Sequence, residues 1–236
     1  MIEGVRNIEF KEGDFVVKTL SGKELEDSYR LRHRVFAESL GWVPRSSDGQ
    51  EIDMYDLWGT TIGLVRPNGT LAAIARLLPS SSPFMLEADL AMLLPSGYVV
   101  RKATDTAEIT RLAIDPDIRD KGLSGRILRA LLKGVYQWAI ENGIRFYYLE
   151  VEERFLRVLR AVGFPCEPIG PSVALPPANA CSVAALYDMV QFDEINMIQR
   201  PQFWEWMSAI QMVDGTVVQG RNMVAHVKPS EVLTAA

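Results

Sequence analysis

Residues 107–125 read AEITRLAIDPDIRDKGLSG, a strand-like run leading into a glycine-rich turn. Residues 107–114 alternate as a strand does. The turn Arg119-Asp-Lys-Gly122-Leu-Ser124-Gly125 then opens a helical pattern over roughly 123–141, which Gly143 ends. A second strand, RFYYLEV at 145–151, and a second helix, 152–162, run up to Gly163. Strand, glycine turn, helix, strand, helix is the order of an α/β crossover.

Working towards the N-terminus, DFVVKTL at 14–20 reads as a strand, and Ser21 is a plausible N-cap for a helix striped by Leu25, Tyr29 and Phe36. Gly41 stands where that helix should end, and 43–57 is a loop. Two apolar runs, 59–65 and 71–78, flank Pro67-Asn68-Gly69, a hairpin signal. A loop at 79–83 precedes a short amphipathic stretch, 85–94. Towards the C-terminus lie a Pro- and Gly-rich loop at 165–180, a strand at 182–190 and a short Trp-rich helix near 201–210. The last ~20 residues read as weakly ordered. With no repeat and no linker, one domain over 1–236 is the simplest organisation, with 191–236 a peripheral C-terminal extension.

The 236-residue chain suffices for one sizeable core. Its net charge of −5 argues against a nucleic-acid-coating protein. Two cysteines, Cys166 and Cys181, give neither a disulfide framework nor a zinc site, and no metal is expected. Charged residues from Glu3 onward lead to the expectation of no signal peptide. No run approaches the roughly 18 apolar residues of a membrane helix, so the expectation is a soluble cytoplasmic protein with no membrane partner.

Charges inside apolar patterns carry the chemistry, because each needs a partner or water. Arg32 shares a helix face with Tyr29 and Phe36, so it either snorkels or aims its guanidinium at a carboxylate ligand. Glu51-Ile-Asp53-Met-Tyr55-Asp56 interleaves three acids with apolar residues, which fits a loop packed down over a small cation better than a calcium loop. Arg76 lies in LAAIARLLP, and Glu108 and Arg111 in AEITRLAI. A structural Glu108/Arg111 or Glu108/Arg76 pair is the plain alternative to a site. In an ideal strand Glu108 and Arg111 face opposite sides, and only a β-bulge brings them together. The turn at Arg119, Gly122 and Ser124 offers backbone N–H groups to an anion, or serves simply as a helix start.

In this order, Arg32, Phe36, Trp42, Glu51-Ile-Asp53-Met-Tyr55-Asp56, Arg76-Leu-Leu-Pro, Pro83-Phe-Met-Leu and Glu108-x-x-Arg111 resemble the acyl-homoserine-lactone (autoinducer) synthase family over about residues 15–190. The sequence departs from that pattern at Ser39, Pro44 and Leu90. The resemblance implies an α/β (α+β) fold related to the acetyltransferases: a three-layer sandwich with a twisted mixed central sheet, split in a V between two strands. It also implies the substrates. The amine of S-adenosylmethionine would attack the thioester of an acyl-carrier protein or acyl-coenzyme A. The methionine carboxylate would then close the lactone and expel methylthioadenosine. Both molecules are substrates, and no cofactor is implied.

The resemblance also assigns roles. Glu108 is the candidate base, with Arg111, Asp53, Asp56 and Arg76 around it, and Arg32, Phe36, Trp42 and Asp53 lining the S-adenosylmethionine site. Asp53 and Asp56 would hold cationic parts or orient Arg32 and Arg76 in an ion-pair web. Phe146, Tyr147, Leu149, Val151, Phe155 and Leu156 would line an acyl tunnel, with plain core packing as the alternative. Arg154, Arg157 and Arg160, spaced three apart on one helix, would dock an acidic carrier or form an ordinary solvated face. Two rivals remain: an N-acetyltransferase using acetyl-coenzyme A, and a non-catalytic sensor of S-adenosylmethionine or acyl groups.

Overall fold

In the computed structural model, which describes residues 4–222, the chain starts with a hairpin of β1 (Glu9–Glu12) and β2 (Phe15–Thr19). The sequence pattern finds only β2, because β1 turns a single apolar side chain, Phe10, inward among Glu9, Lys11 and Glu12. Helix α1 (Gly22–Arg32) runs straight on as a π-helical segment, His33–Ser39, that buries Phe36. After a loop and a 3₁₀ turn at Met54–Leu57 come β3 (Thr60–Val65) and β4 (Leu71–Pro79), paired as a hairpin as expected. Short α2 (Met85–Ala88) leads to β5 (Thr106–Ile114), α3 (Lys121–Asn142), β6 (Phe146–Glu152) and α4 (Glu153–Ala161). The predicted crossover is therefore present, and α3 stops at Gly143 in the left-handed conformation, φ 67°. Strands β7 (Glu167–Pro168), β8 (Val173–Leu175) and β9 (Ala180–Asp188) follow, then α5 (Met189–Gln199), α6 (Pro201–Ser208), β10 (Ile210–Gln211) and β11 (Val217–Val218).

One sheet runs β11-β10-β1-β2-β3-β4-β5-β6-β9-β7, with β8 also on β9. Among the described residues β5 and β6 are the one parallel pair, as the α3 crossover dictates. Their register runs from Thr106 opposite Phe146 to Ile109 opposite Leu149 and stops there. Both strands continue beyond that point, so they diverge and leave a V-shaped split. The expected mixed sheet with a split between two strands is present.

Alternate residues of the strands feed opposite layers. Ala73, Ala75, Leu77, Tyr147 and Leu149 meet Leu131, Val135 and Trp138 of α3. On the other face Ile74 and Ala113 meet Leu31 and Phe36, and Leu78 and Tyr148 meet Met85 and Leu86. The C-terminal region is less peripheral than expected. Phe192 of α5 and Met207 of α6 are fully buried in the α3 layer, and Tyr136 and Trp204 both donate to Asp193. Helix α5 escapes sequence reading because its buried face carries polar Asp193 and Asn196 beside Met189 and Phe192. Of the tail read as weakly ordered, 217–218 pair as β11 and 223–236 lie outside the described residues. No helix among the described residues is long and apolar enough to cross a membrane.

Helix α3 lies close enough to the sheet to require glycine at one point. A Cβ on Gly134 would stand 2.6 Å from Val17 Cγ1 and 3.2 Å from Ile62 Cγ2. Gly134→Val is therefore expected to cost about 1–3 kcal/mol by overpacking. Urea unfolding should show a lower midpoint with helix content retained at zero denaturant, and an unchanged midpoint would refute this close approach.

Candidate active site

The acidic loop is set by its own backbone. Asp53 caps the 3₁₀ turn, accepting from Tyr55 N at 2.9 Å, while Asp56 Oδ2 accepts from Asp53 N at 2.8 Å. Glu51 N donates to Tyr29 O at 3.0 Å and pins the loop to α1. The three acids consequently face one spot, where arginines from three elements converge. Arg32, from the end of α1, donates from Nε to Glu51 and in a fork to Asp56 at 2.6 and 3.0 Å. Arg76 of β4 forks onto Asp53 at 2.5 and 3.0 Å, reaches Asp56 at 2.8 Å and donates from Nε to Thr110 at 3.0 Å. Arg111 of β5 donates to Glu51 at 2.9 Å and Asp53 at 2.8 Å. Three guanidiniums and three carboxylates thus form one neutral web of charge-assisted bonds. The Arg32, Arg76 and Arg111 guanidiniums also stand 5.4–5.6 Å from the ring centroids of Tyr29, Tyr55 and Phe36, respectively.

A bulge supplies the geometry that an ideal strand lacks. Arg111 has φ 51°, and the register passes from Ile74 opposite Ala113 to Arg76 opposite Thr110, so β5 spends one extra residue there. Met85 marks where the two sides meet. Its N–H donates to Glu108 at 2.8 Å, and its Sδ lies 3.2 Å from Arg76 Nη2 and 3.6 Å from Arg111 Nη1. Glu108 forms neither of the ion pairs offered as plain alternatives. Its fully buried carboxyl accepts the N–H groups of Met85 and Leu86, both at 2.8 Å. Burial pushes its pKa up. Burial would also raise Glu51 and Asp56, but the adjacent guanidiniums win and hold both below the usual carboxylate range.

Several expected contacts are placed differently. Arg32 has no exposed surface, and its nitrogens end on Glu51 and Asp56, so its guanidinium is directed at the chain's own acids. Arg111 and Asp53, at 15% and 21% side-chain exposure, are the open members of the web. Phe36 and Trp42 do pack together, with ring centroids 5.9 Å apart. Phe146 does not enter an apolar tunnel. It sits at the paired end of β6, with Arg101 and Arg145 guanidiniums 4.9 and 4.6 Å from its ring centroid. Tyr147, Leu149 and Leu156 are buried in the α3 layer, while Val151 and Phe155 are half-buried against it beyond the point where β5 and β6 part. Arg154, Arg157 and Arg160 are all exposed, but Arg160 is engaged with Cys166 O and Glu167 and Arg154 with Glu152. Arg154 and Arg157 share a cavity of about 480 Å³ with Trp42, Leu40, Glu152 and Cys181. At the glycine-rich turn the N–H of Leu123 is already taken by Asp120, at 2.6 Å.

Sequence reading missed Glu150. The residue is half-buried: its Oε1 is shut off from solvent with no donor reaching it, and its carboxyl meets that of Glu108. The signal was available: Glu150 is a lone charge in the apolar run FYYLEV, the same irregularity that marked Arg76 and Glu108.

A split mixed α/β sheet thus carries a buried carboxylate beside a neutral web of arginines and acids. The autoinducer synthase family model matches residues 17–195. An acyl-homoserine-lactone synthase of Rhizobium radiobacter is 32% identical over 165 residues, which is 68% of this chain and 76% of that protein. Among solved structures, BjaI, described as a CoA-dependent acyl-homoserine lactone synthase with SAM and isopentyl-CoA, aligns over 78% of this chain and 80% of its own, at 25% identity and a TM-score of 0.59. TofI, in a ternary complex with an inhibitor and MTA, aligns over 74% of this chain and 91% of its own, at 22% identity and a TM-score of 0.62. The chain belongs to the autoinducer synthase family.

Removing one partner from a buried web strands the others, so Arg32→Ala should cost about 3–5 kcal/mol of unfolding free energy. A loss under 1 kcal/mol in urea would show that the web does not hold the loop. Because Glu51 and Asp56 titrate lower folded than unfolded, their contribution is present above the unfolded value of ~4. It should fade as pH falls through the lower folded values, so the difference between wild type and Arg32→Ala should shrink in acid.

Proposed function

We propose that this chain makes an N-acyl-homoserine lactone from S-adenosylmethionine and an acyl thioester. The observation that carries the reading is a buried, base-competent Glu108 abutting a prebuilt arginine–carboxylate web at the mouth of a split sheet. Asp53 offers the cationic parts of S-adenosylmethionine a carboxylate, and Arg111 offers its carboxylate a guanidinium, while half-buried Trp42, backed by buried Phe36, presents an aromatic face. The buried Arg32, Arg76, Glu51 and Asp56 fix these two open groups, so that positioning is settled before the substrate arrives.

The α-ammonium of S-adenosylmethionine gives a proton to Glu108, directly or through a water. The freed amine attacks the thioester carbon, the carbon–sulfur bond breaks, and the thiol leaves with a proton. Burial helps, since it moves Glu108 towards the pH at which a base is both ionised and effective. Beyond Ile109 the β6 side of β5 is free of strand pairing, which leaves backbone N–H groups for the thioester oxyanion. The methionine carboxylate then attacks its own γ-carbon, expelling neutral methylthioadenosine and closing the ring. The acyl chain lies in the split against Val151 and Phe155, above the packed floor of Leu149 and Leu156. The thioester, on coenzyme A or a carrier protein, enters by the cavity between Trp42 and Arg157, with Arg154 and Arg157 meeting its anionic groups.

Mass spectrometry of medium from a host expressing the chain tests this reading and identifies the acyl group. A lactone should appear with the intact chain, and Glu108→Gln should reduce methylthioadenosine release by purified protein about 10²-fold or more. Absence of any lactone or methylthioadenosine with varied acyl thioesters would overturn the reading.

A further inference from the structure

We infer that Glu150 is a positioning residue for this reaction, a protonated carboxyl that donates to Glu108 and keeps Glu108 the ionised member of the pair. The inference rests on the reading of Glu108 as proton acceptor. In the parallel register Glu108 stands opposite Tyr148, so Glu150, two residues further along β6, turns to the same face at the opening of the split. Across β9 its partner is Ala184, which offers no charge and belongs to the same apolar cluster as Tyr148 and Phe84. Two carboxyls in contact cannot both be ionised, so one holds a proton.

The surroundings decide which. Glu108 receives two backbone N–H groups at 2.8 Å, donors that favour the charged form. Arg76 of β4 also faces it, and Tyr55 of the 3₁₀ turn lies near. Oε1 of Glu150 receives no donor, and the nearby Arg111 of β5 directs its Nε and Nη2 to Glu51 and Asp53. Burial, and then the neighbouring Glu108 charge, drive Glu150 well above the usual carboxylate range. The proton therefore rests on Glu150, shared towards Glu108. When Glu108 takes the substrate proton, that hydrogen bond must rearrange, so Glu150 sets how readily Glu108 accepts it.

Two variants and two readouts test this. Glu150→Gln keeps a donor and Glu150→Leu removes it. In the pH profile of methylthioadenosine release, loss of the donor should move the acid limb upward by roughly one to two pH units in Glu150→Leu. Glu150→Gln should keep the limb near that of the wild type. An unmoved limb in Glu150→Leu, or a Gln variant that behaves like Leu, overturns the proposal. The second readout needs no turnover. The infrared C=O stretch of a buried protonated carboxyl at neutral pH should be present in the free protein, lost in Glu150→Gln and kept in Glu108→Gln. The opposite pattern, or no such band, places the proton elsewhere and refutes the assignment. If wild-type protein releases no methylthioadenosine, the reaction reading fails, while the infrared comparison still decides where the proton lies.

Discussion

Six buried or half-buried charges, three of each sign, have to neutralise one another before this molecule can have a site at all. Arg32 and Arg76 are almost wholly out of water, and neither would be tolerated there without carboxylates in forked contact. The web joins the end of α1, the acidic loop, β4 and β5, elements far apart in sequence. It accordingly acts as a registration device: the loop at 51–56 can lie in one place only, where all three acids are paired. Gly59 follows that loop, and a Cβ there would meet Arg76 Cδ at 2.8 Å, so the backbone is packed directly against the web it serves.

Function then follows from what the web leaves unsatisfied. Most donors of Arg32 and Arg76 are consumed internally, which takes these residues out of direct competition for ligand. Arg111 and Asp53 remain partly open and of opposite sign, which on the proposed function suits a substrate carrying an ammonium, a carboxylate and a sulfonium. Glu108 borders the web without an ion pair to it and is held by backbone N–H groups of α2. The proposed function thereby gives positioning and proton transfer to separate groups.

Which charges the fold gathers was legible in part: Arg32, Arg76, Glu108 and Arg111 are charges in segments otherwise patterned for burial, whereas Glu51, Asp53 and Asp56 stand in a loop whose Ile52 and Met54 are exposed. How they pair was not. The pairing depends on the positive φ at Arg111 and on a capping interaction between Asp53 and Asp56, both local backbone events with no periodic signature. The crossover from β5 through α3 to β6 was legible, because its apolar periods are long and its stops are glycines. Strand β1 and helix α5 were not, since their inward faces carry too few apolar residues. The acyl-tunnel expectation went furthest astray at Phe146. Alternation alone does not tell that two arginines flank its ring.

The most direct test of the central claim uses S-adenosylmethionine labelled with heavy oxygen in both carboxylate positions, incubated with purified protein and an acyl thioester. If the carboxylate itself closes the ring, the lactone carries both labelled oxygens and methylthioadenosine carries none. A lactone that has lost one label would mean that water displaced methylthioadenosine first, and would contradict the mechanism derived from this site.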